Sequence, residues 1–176
     1  MQETIYQMSK WDYSLDYKAN LTTEQTRIIY EDLEVAATAE KINISKMKSQ
    51  SSTKANMELY KDGYTDPPYM ANTNTQIITL EKDTKFVRVL NDKNYPLGKW
   101  FMLEDDIKGL SALEIQNKYA IPVTPTKYIQ IKIPAGSTIR VGTANGLYGF
   151  SGGGVQFDNY GLQMFEDWIV SDYIFL

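Results

Sequence analysis

Arginine, tryptophan, glycine and glutamine recur along this chain in an order that suits ligand chemistry. Phe86-Val87-Arg88-Val89 places an arginine in a β-type run, Gly98-Lys99-Trp100 follows it, and Gly152-Gly153-Gly154-Val155-Gln156-Phe157 completes the set. A guanidinium makes forked, charge-assisted bonds to phosphate oxygens. An indole offers a face for stacking, and a glutamine amide both donates and accepts hydrogen bonds. Three successive glycines let a backbone come close to whatever lies beside it. Together these residues fit a phosphorylated, sugar-bearing ligand. Singly, each has an ordinary use: Arg88 as a solvated strand residue, Trp100 as core, Gly152–Gly154 as a loop, Gln156 as a strand-edge polar group. Their order is what joins them.

Composition narrows the chemistry further. The 176 residues include no Cys and no His. Disulfides, thiolate metal sites, His-based zinc sites and the Ser-His and Cys-His nucleophiles are therefore excluded. Carboxylates, Arg, Lys, Tyr, hydroxyls and amides remain. Net charge is −4 but unevenly spread. Residues 1–75 hold 8 basic and 11 acidic side chains, residues 76–140 hold 10 and 7, and residues 141–176 hold 4 acids and no Lys or Arg. The middle segment suits a small anion, whereas the whole lacks the basic footprint of a duplex nucleic-acid binder. No apolar run is long enough for a bilayer span, and residues 1–20 lack the pattern of a signal peptide.

Residues 1–20, with Trp11, Tyr13 and Tyr17, form an aromatic arm. Thr22 and Gln25 fit a capping box that opens a long helix from Thr23 to about Lys48, acidic early and basic late. Residues 49–75 have a linker composition, interrupted by a short helix near Ala55–Tyr60, and Asp66-Pro67-Pro68 reads as a turn. The expected division is 1–75, an arm, long helix and linker, and 76–176, a β-rich domain. Strands are expected at Gln76–Leu80, Phe86–Leu90, Lys99–Leu103, Lys127–Ile133, Thr138–Val141, Val155–Asp158 and Asp167–Phe175. Ser111 and Glu114 cap a helix reaching about Lys118. Ile129, Ile131 and Ile133 share one face, and Pro134-Ala135-Gly136 turns that strand into a hairpin with the next. Glu104-Asp105-Asp106 is expected as a solvated acidic turn rather than a cation site.

Residues 86–158 resemble the tuberculosis-necrotizing-toxin type of domain found at the C-termini of bacterial polymorphic toxins. The resemblance rests on Arg88 before Gly98-Lys99-Trp100, on the segment Ala112–Tyr119 leading into Ala120-Ile121-Pro122, and on Pro134-Ala135-Gly136-Ser137-Thr138 before the Gly-Gly-Gly-x-Gln-aromatic run. It implies an α+β fold with a compact antiparallel β core related to ADP-ribosyltransferases, preceded here by an N-terminal helical region. It implies an NAD+ glycohydrolase that empties the NAD+ pool of a target cell, delivered there as a secreted effector and held in check by a cognate immunity protein. By the same resemblance Gln156 and Arg88 are catalytic. Arg88, Trp100, Tyr148, Phe150, Gly152, Gly153 and Gly154 bind substrate. No metal and no cofactor beyond NAD+ as substrate is implied, and the choice between NAD+ and NADP+ stays open. Phe150 departs from the family, which often has a polar residue just before the triple glycine.

Three other functions compete. ADP-ribosyl transfer to a macromolecule would favour a glutamate where Gln156 stands. A toxin ribonuclease would favour His or a basic face. Nothing in the sequence excludes a non-enzymatic β-rich binding or structural module.

Overall fold

Alternating apolar residues and two short helices divide the chain. The computed structural model describes residues 23–176, with side chains from Asp32 onward. The aromatic arm and the Thr22 cap lie outside these residues. The elements are α1 (Thr23–Glu40), β1 (Ile44–Ser51), α2 (Ser52–Lys61), β2 (Asn74–Leu80), β3 (Thr84–Leu90), β4 (Trp100–Phe101), α3 (Ala112–Tyr119), β5 (Lys127–Ile133), β6 (Thr138–Thr143), β7 (Val155–Asp158) and β8 (Ile174–Phe175). Single 3-10 turns occupy Glu104–Asp106 and Glu166–Trp168. The fold is α+β. A five-stranded sheet runs in the order β1-β2-β6-β7-β4 and a three-stranded sheet in the order β3-β5-β8, with every pairing antiparallel.

The two sheets bury their facing sides in one core. Ile78 and Leu80 of β2, Ile139 and Val141 of β6, and Phe157 of β7 meet Phe86 and Leu90 of β3 and the Ile129-Ile131-Ile133 row of β5. Burial on this scale supplies most of the folding drive. Phe86, Phe101 and Phe157 form its aromatic centre, with ring centroids 4.9–5.9 Å apart. Helix α1 lies on β2, β6 and β7 and contributes Val35 to the core. Helix α3 packs Ile115 and Tyr119 against Val87 and Met102. The Ser111–Glu114 capping box is present in both directions. Among the described residues, no helix is long and apolar enough to cross a membrane.

Four expectations are corrected. The first helix stops at Glu40, not Lys48, closing with Lys41 N–H on the Thr38 carbonyl at 3.1 Å. Residues 44–51 are instead the edge strand β1, paired with β2 from Ile44↔Leu80 to Ser51↔Asn74, so sheet hydrogen bonds cross the position where linker composition begins. Lys46 and Lys48 therefore sit on an exposed edge, where charge discourages further strand pairing, rather than at a helix end. The turn at Pro134-Ala135-Gly136 does not make a hairpin. It carries the chain from β5 in one sheet to β6 in the other. The last strand shortens to Ile174–Phe175, and the one at Lys99–Leu103 to Trp100–Phe101 with a bridge at Met102.

A buried ionic network ties these parts together. Arg140 of β6 is 2% exposed and Asp158 of β7 is 0% exposed. Arg140 Nε donates to Asp158 Oδ2 at 2.8 Å, and its Nη1 donates to Glu58 at 2.8 Å and to Gln50 at 3.2 Å. Asp158 also accepts from the Tyr69 hydroxyl at 2.6 Å and from Tyr160 N–H at 2.8 Å. Burial works against the Arg140 charge, but Asp158, with Tyr69 and Glu58, lifts the guanidinium above its ordinary pKa. Burial first, then the Asp158 charge, pushes the Tyr69 hydroxyl well up. Removing one partner of such a buried pair strands the other. Asp158→Ala is expected to lower unfolding free energy by about 3–5 kcal/mol, and Glu58→Ala, at the exposed end of the network, by about 1 kcal/mol or less. Urea denaturation of the two variants checks this order; equal costs would disprove it.

Candidate functional site

A cleft of about 410 Å³ opens beside the junction of the two sheets. Strand β3 supplies Arg88 and Val89, β4 and its bridge residue supply Trp100 and Met102, and β7 supplies Gln156. The end of α3 and the turn after it form one wall from Tyr119 to Val123. The segment before β2 forms another, with Tyr64, Asp66 and Pro68, and Asn145, Leu147 and Tyr148 close the mouth. The lining is thus mostly apolar and aromatic with a few polar groups, the usual character of a small-molecule site.

Arg88 is held from two sides. Its Nη1 donates to the Trp100 carbonyl at 2.8 Å. Gly98 lies against the guanidinium so closely that any Cβ there would collide with it. Its Nε is buried without a hydrogen-bond partner, and no carboxylate pairs with it among the described residues. Burial pulls the guanidinium below its ordinary pKa, only partly countered by Tyr64. An arginine stays charged even so. Among the described residues the cleft therefore contains a partly desolvated cation with no counter-ion, an arrangement with the chemistry to receive an anion.

The neighbouring side chains are fixed by packing and hydrogen bonds. Trp100 Nε1–H donates to the Tyr64 hydroxyl at 3.1 Å, and Tyr64 and Tyr69 meet the indole edge-on at 5.6 and 5.8 Å. Gln156 is 7% exposed. Its Nε2 donates to the Pro68 carbonyl at 3.1 Å. A carbonyl only accepts, so this bond orients the amide and leaves Oε1 as its acceptor end. Burial, then the nearby Asp106 charge, pushes the Tyr119 hydroxyl far up, and that hydroxyl has no partner. Tyr148 lines the mouth from a left-handed backbone position, φ 56°.

Of the residues singled out by sequence, Arg88, Trp100, Tyr148 and Gln156 converge on this cleft. Phe150 and Gly152–Gly154 do not line it. The close approach that the glycines permit is to the protein's own backbone. Gly152 N–H donates to the Asn117 carbonyl and Gly154 N–H to the Lys118 carbonyl, each at 2.9 Å. A Cβ on Gly152 would stand 2.5 Å from the Asn145 carbonyl oxygen, and one on Gly154 would stand 2.8 Å from the Tyr119 ring. The run thus docks β7 onto the end of α3 and sets where Gln156 begins. Tyr64, Tyr119 and Asn145 escaped the sequence reading, and Asp66 was read only as part of a turn. The acidic turn at Glu104 is not fully solvated, because Glu104 accepts from Tyr128 and Gln130. Among the described residues no group of three or more His, Cys, Asp or Glu could hold a metal ion.

Comparison of the chain with family models, curated proteins and solved structures gives no match.

The Gly98 contact yields a test of the site itself. Gly98→Ala is expected to displace the guanidinium and weaken binding of inorganic pyrophosphate by about tenfold or more, roughly 1.4 kcal/mol. Stability should change by about 1 kcal/mol or less, because the backbone there is not left-handed. Calorimetric titration of both proteins decides it; unaltered affinity would remove Arg88 from the site.

Proposed function

We propose that this chain is an NAD+ glycohydrolase whose reaction takes place in the Arg88–Trp100–Gln156 cleft. The observation that carries the reading is Arg88, a half-buried guanidinium whose Nε is buried without a partner and which has no counter-ion among the described residues, sharing one concave site with Trp100 and an oriented amide. A pyrophosphate supplies the missing anion, and its oxygens suit the guanidinium fork. Two antiparallel sheets with the cleft at their junction support a relationship to the ADP-ribosyltransferase core, in keeping with the resemblance of residues 86–158. In that reading the chain is a toxin domain, delivered as a secreted effector to the cytoplasm of a target cell and paired with an immunity protein.

The chemistry matches a site without His or Cys. In NAD+ the nicotinamide nitrogen already carries positive charge. When the C1′–N bond breaks, its electron pair neutralises that nitrogen, and nicotinamide leaves without an added proton. The ribose is left with oxocarbenium character. Water then forms the C1′–O bond and releases one proton, giving ADP-ribose. The protein must hold the dinucleotide, orient the ribose and admit one water. Arg88 would bind the pyrophosphate. Trp100, braced by Tyr64 and Tyr69, would stack on a ring. Gln156 Oε1 would accept a hydrogen bond from a ribose hydroxyl or from the attacking water, an interaction that gains strength as positive charge develops on the sugar.

The test is release of nicotinamide from NAD+ by the purified chain. Gln156→Ala is expected to lower kcat by about 10²-fold or more. Arg88→Ala should act mainly on KM, because pyrophosphate contacts change little between ground and transition states, and Arg88→Lys should not restore it. Free ADP-ribose as product identifies hydrolysis, and label transferred to protein would instead identify ADP-ribosyl transfer. No nicotinamide release by well-folded protein would reject the enzyme reading in favour of a binding module.

A further inference from the structure

We infer that the cleft selects a dinucleotide whose adenosine ribose carries a free 2′-hydroxyl, NAD+ rather than NADP+, and that Asp66 is the residue that enforces the choice. The inference rests on the NAD+ glycohydrolase reading given above.

Among the described residues, two charged side chains line the cleft, Arg88 and Asp66. Lys93, in the turn whose Asn91 and Asn94 line the cleft, is exposed and does not itself line it, and three further lysines are engaged elsewhere. Lys99 pairs with Asp62 at 2.9 Å, Lys127 with Asp92 at 3.3 Å, and Lys118 donates to the Asp106 carbonyl at 2.7 Å. Arg88 is needed for the pyrophosphate, and the lining formed by the described residues offers no second cation to a 2′-phosphate. Such a group brings about −1.5 to −2 charge.

Asp66 makes the deficit into a repulsion. Its carboxylate is exposed and has no hydrogen-bond or ionic partner among the described residues. It is nevertheless a fixed feature. Tyr64 N–H is held by the Leu59 carbonyl at 3.1 Å. On the other side, the Pro67 carbonyl accepts from Asn145 Nδ2 at 2.9 Å. The Pro68 carbonyl accepts from Asn145 N–H at 2.9 Å and from Gln156 Nε2 at 3.1 Å. Two prolines with these anchors leave the Asp66 backbone little freedom. A carboxylate placed in this way only accepts, so it pairs with a sugar diol and opposes a phosphate. The same logic distinguishes the two cofactors at dinucleotide sites of other folds, where an acidic residue takes the 2′-hydroxyl and an arginine takes the 2′-phosphate.

Burial sets the direction in which the ligand lies. Gln156 is buried, Arg88 is half-buried and Asp66 is exposed. With the nicotinamide ribose at Gln156 and the pyrophosphate at Arg88, the adenosine ribose is left to the more exposed part of the cleft, to which the Asp66 wall belongs.

The experiment is calorimetric titration of ADP-ribose and of 2′-phospho-ADP-ribose into the wild-type chain, Asp66→Asn and Asp66→Ser, at fixed ionic strength because salt screens an exposed charge. The kcat/KM ratio for NAD+ over NADP+ is measured alongside. Wild-type protein is expected to bind ADP-ribose about tenfold or more tighter than its 2′-phosphate, with the kinetic ratio following. Both Asp66 variants should bring the two ligands toward equality. Equal affinities in the wild type, or a preference that both variants leave unchanged, would overturn the role of Asp66 while leaving NAD+ hydrolysis standing. Binding of neither ligand and turnover of neither dinucleotide would overturn both readings together.

Discussion

The buried ion pair Arg140–Asp158 aligns the strands of the larger sheet and braces the segment beside the cleft. It lies where β6 and β7 are in register, Arg140 opposite Asp158, and Asp158 is in turn opposite Trp100 of β4. One carboxylate thus faces an arginine across one neighbouring strand and the cleft tryptophan across the other. Its remaining lone pairs take the Tyr69 hydroxyl and the Tyr160 N–H. Tyr69 ends the segment that supplies Tyr64, Asp66 and Pro68 to the cleft, and its ring touches the edge of Trp100. The network contributes no group to the cleft lining, yet it fixes two of its walls. A buried pair of this kind adds little net stability over an apolar substitute. Its effect is to make one register and one placement of the 64–69 segment much better than their alternatives.

The two strand arginines show how differently the same side chain can be used. Arg140 donates from Nε, Nη1 and Nη2, to two carboxylates and an amide. Its surroundings raise its pKa. Arg88 donates from Nη1 to a single peptide carbonyl, its Nε has no partner, and its surroundings lower its pKa. The first is a completed structural device. The second carries an unmet electrostatic demand, and it faces a cleft. A desolvated cation costs free energy unless something anionic meets it, and perturbed groups of this kind concentrate at functional sites.

Much of the fold was legible because its signals are periodic. The Ile129-Ile131-Ile133 row, the Phe86–Leu90 run and the Ser111–Glu114 cap all appear where the sequence puts them. What escaped was the edge and the topology. Strand β1 is polar on most of both faces, so its two-residue period is faint, and only pairing with β2 separates it from a continued helix. A Pro-x-Gly turn signals a reversal of the chain but not which sheet it enters, so the β5–β6 step looked like a hairpin. In the cleft, Arg88, Trp100 and Gln156 were legible because residue type and order carry them. Asp66, Tyr64 and Asn145 were not, because ordinary turn and loop chemistry accounts for each of them until the fold gathers them. The Arg140 network is assembled from positions 50, 58, 69, 140 and 158, and no local pattern links residues so far apart.

The cleft lies where it does because the sheets meet there with little hydrogen bonding. Val87 and Met102 exchange two backbone bonds, 2.8 and 2.9 Å, that join β3 to the end of β4. Strand β4 spans only Trp100–Phe101, too short to carry the pairing further. Next to this bridge the Arg88 side chain takes over, and its bond to the Trp100 carbonyl continues the seam where the backbone ladder has ended. Arg88 is thereby both the last stitch between the sheets and, among the described residues, the only cation in the cleft lining. This double use explains the glycine at position 98, where any side chain would push the guanidinium off the seam. An anion entering the cleft would meet a group already oriented by the fold, so little ordering would remain to be done on binding.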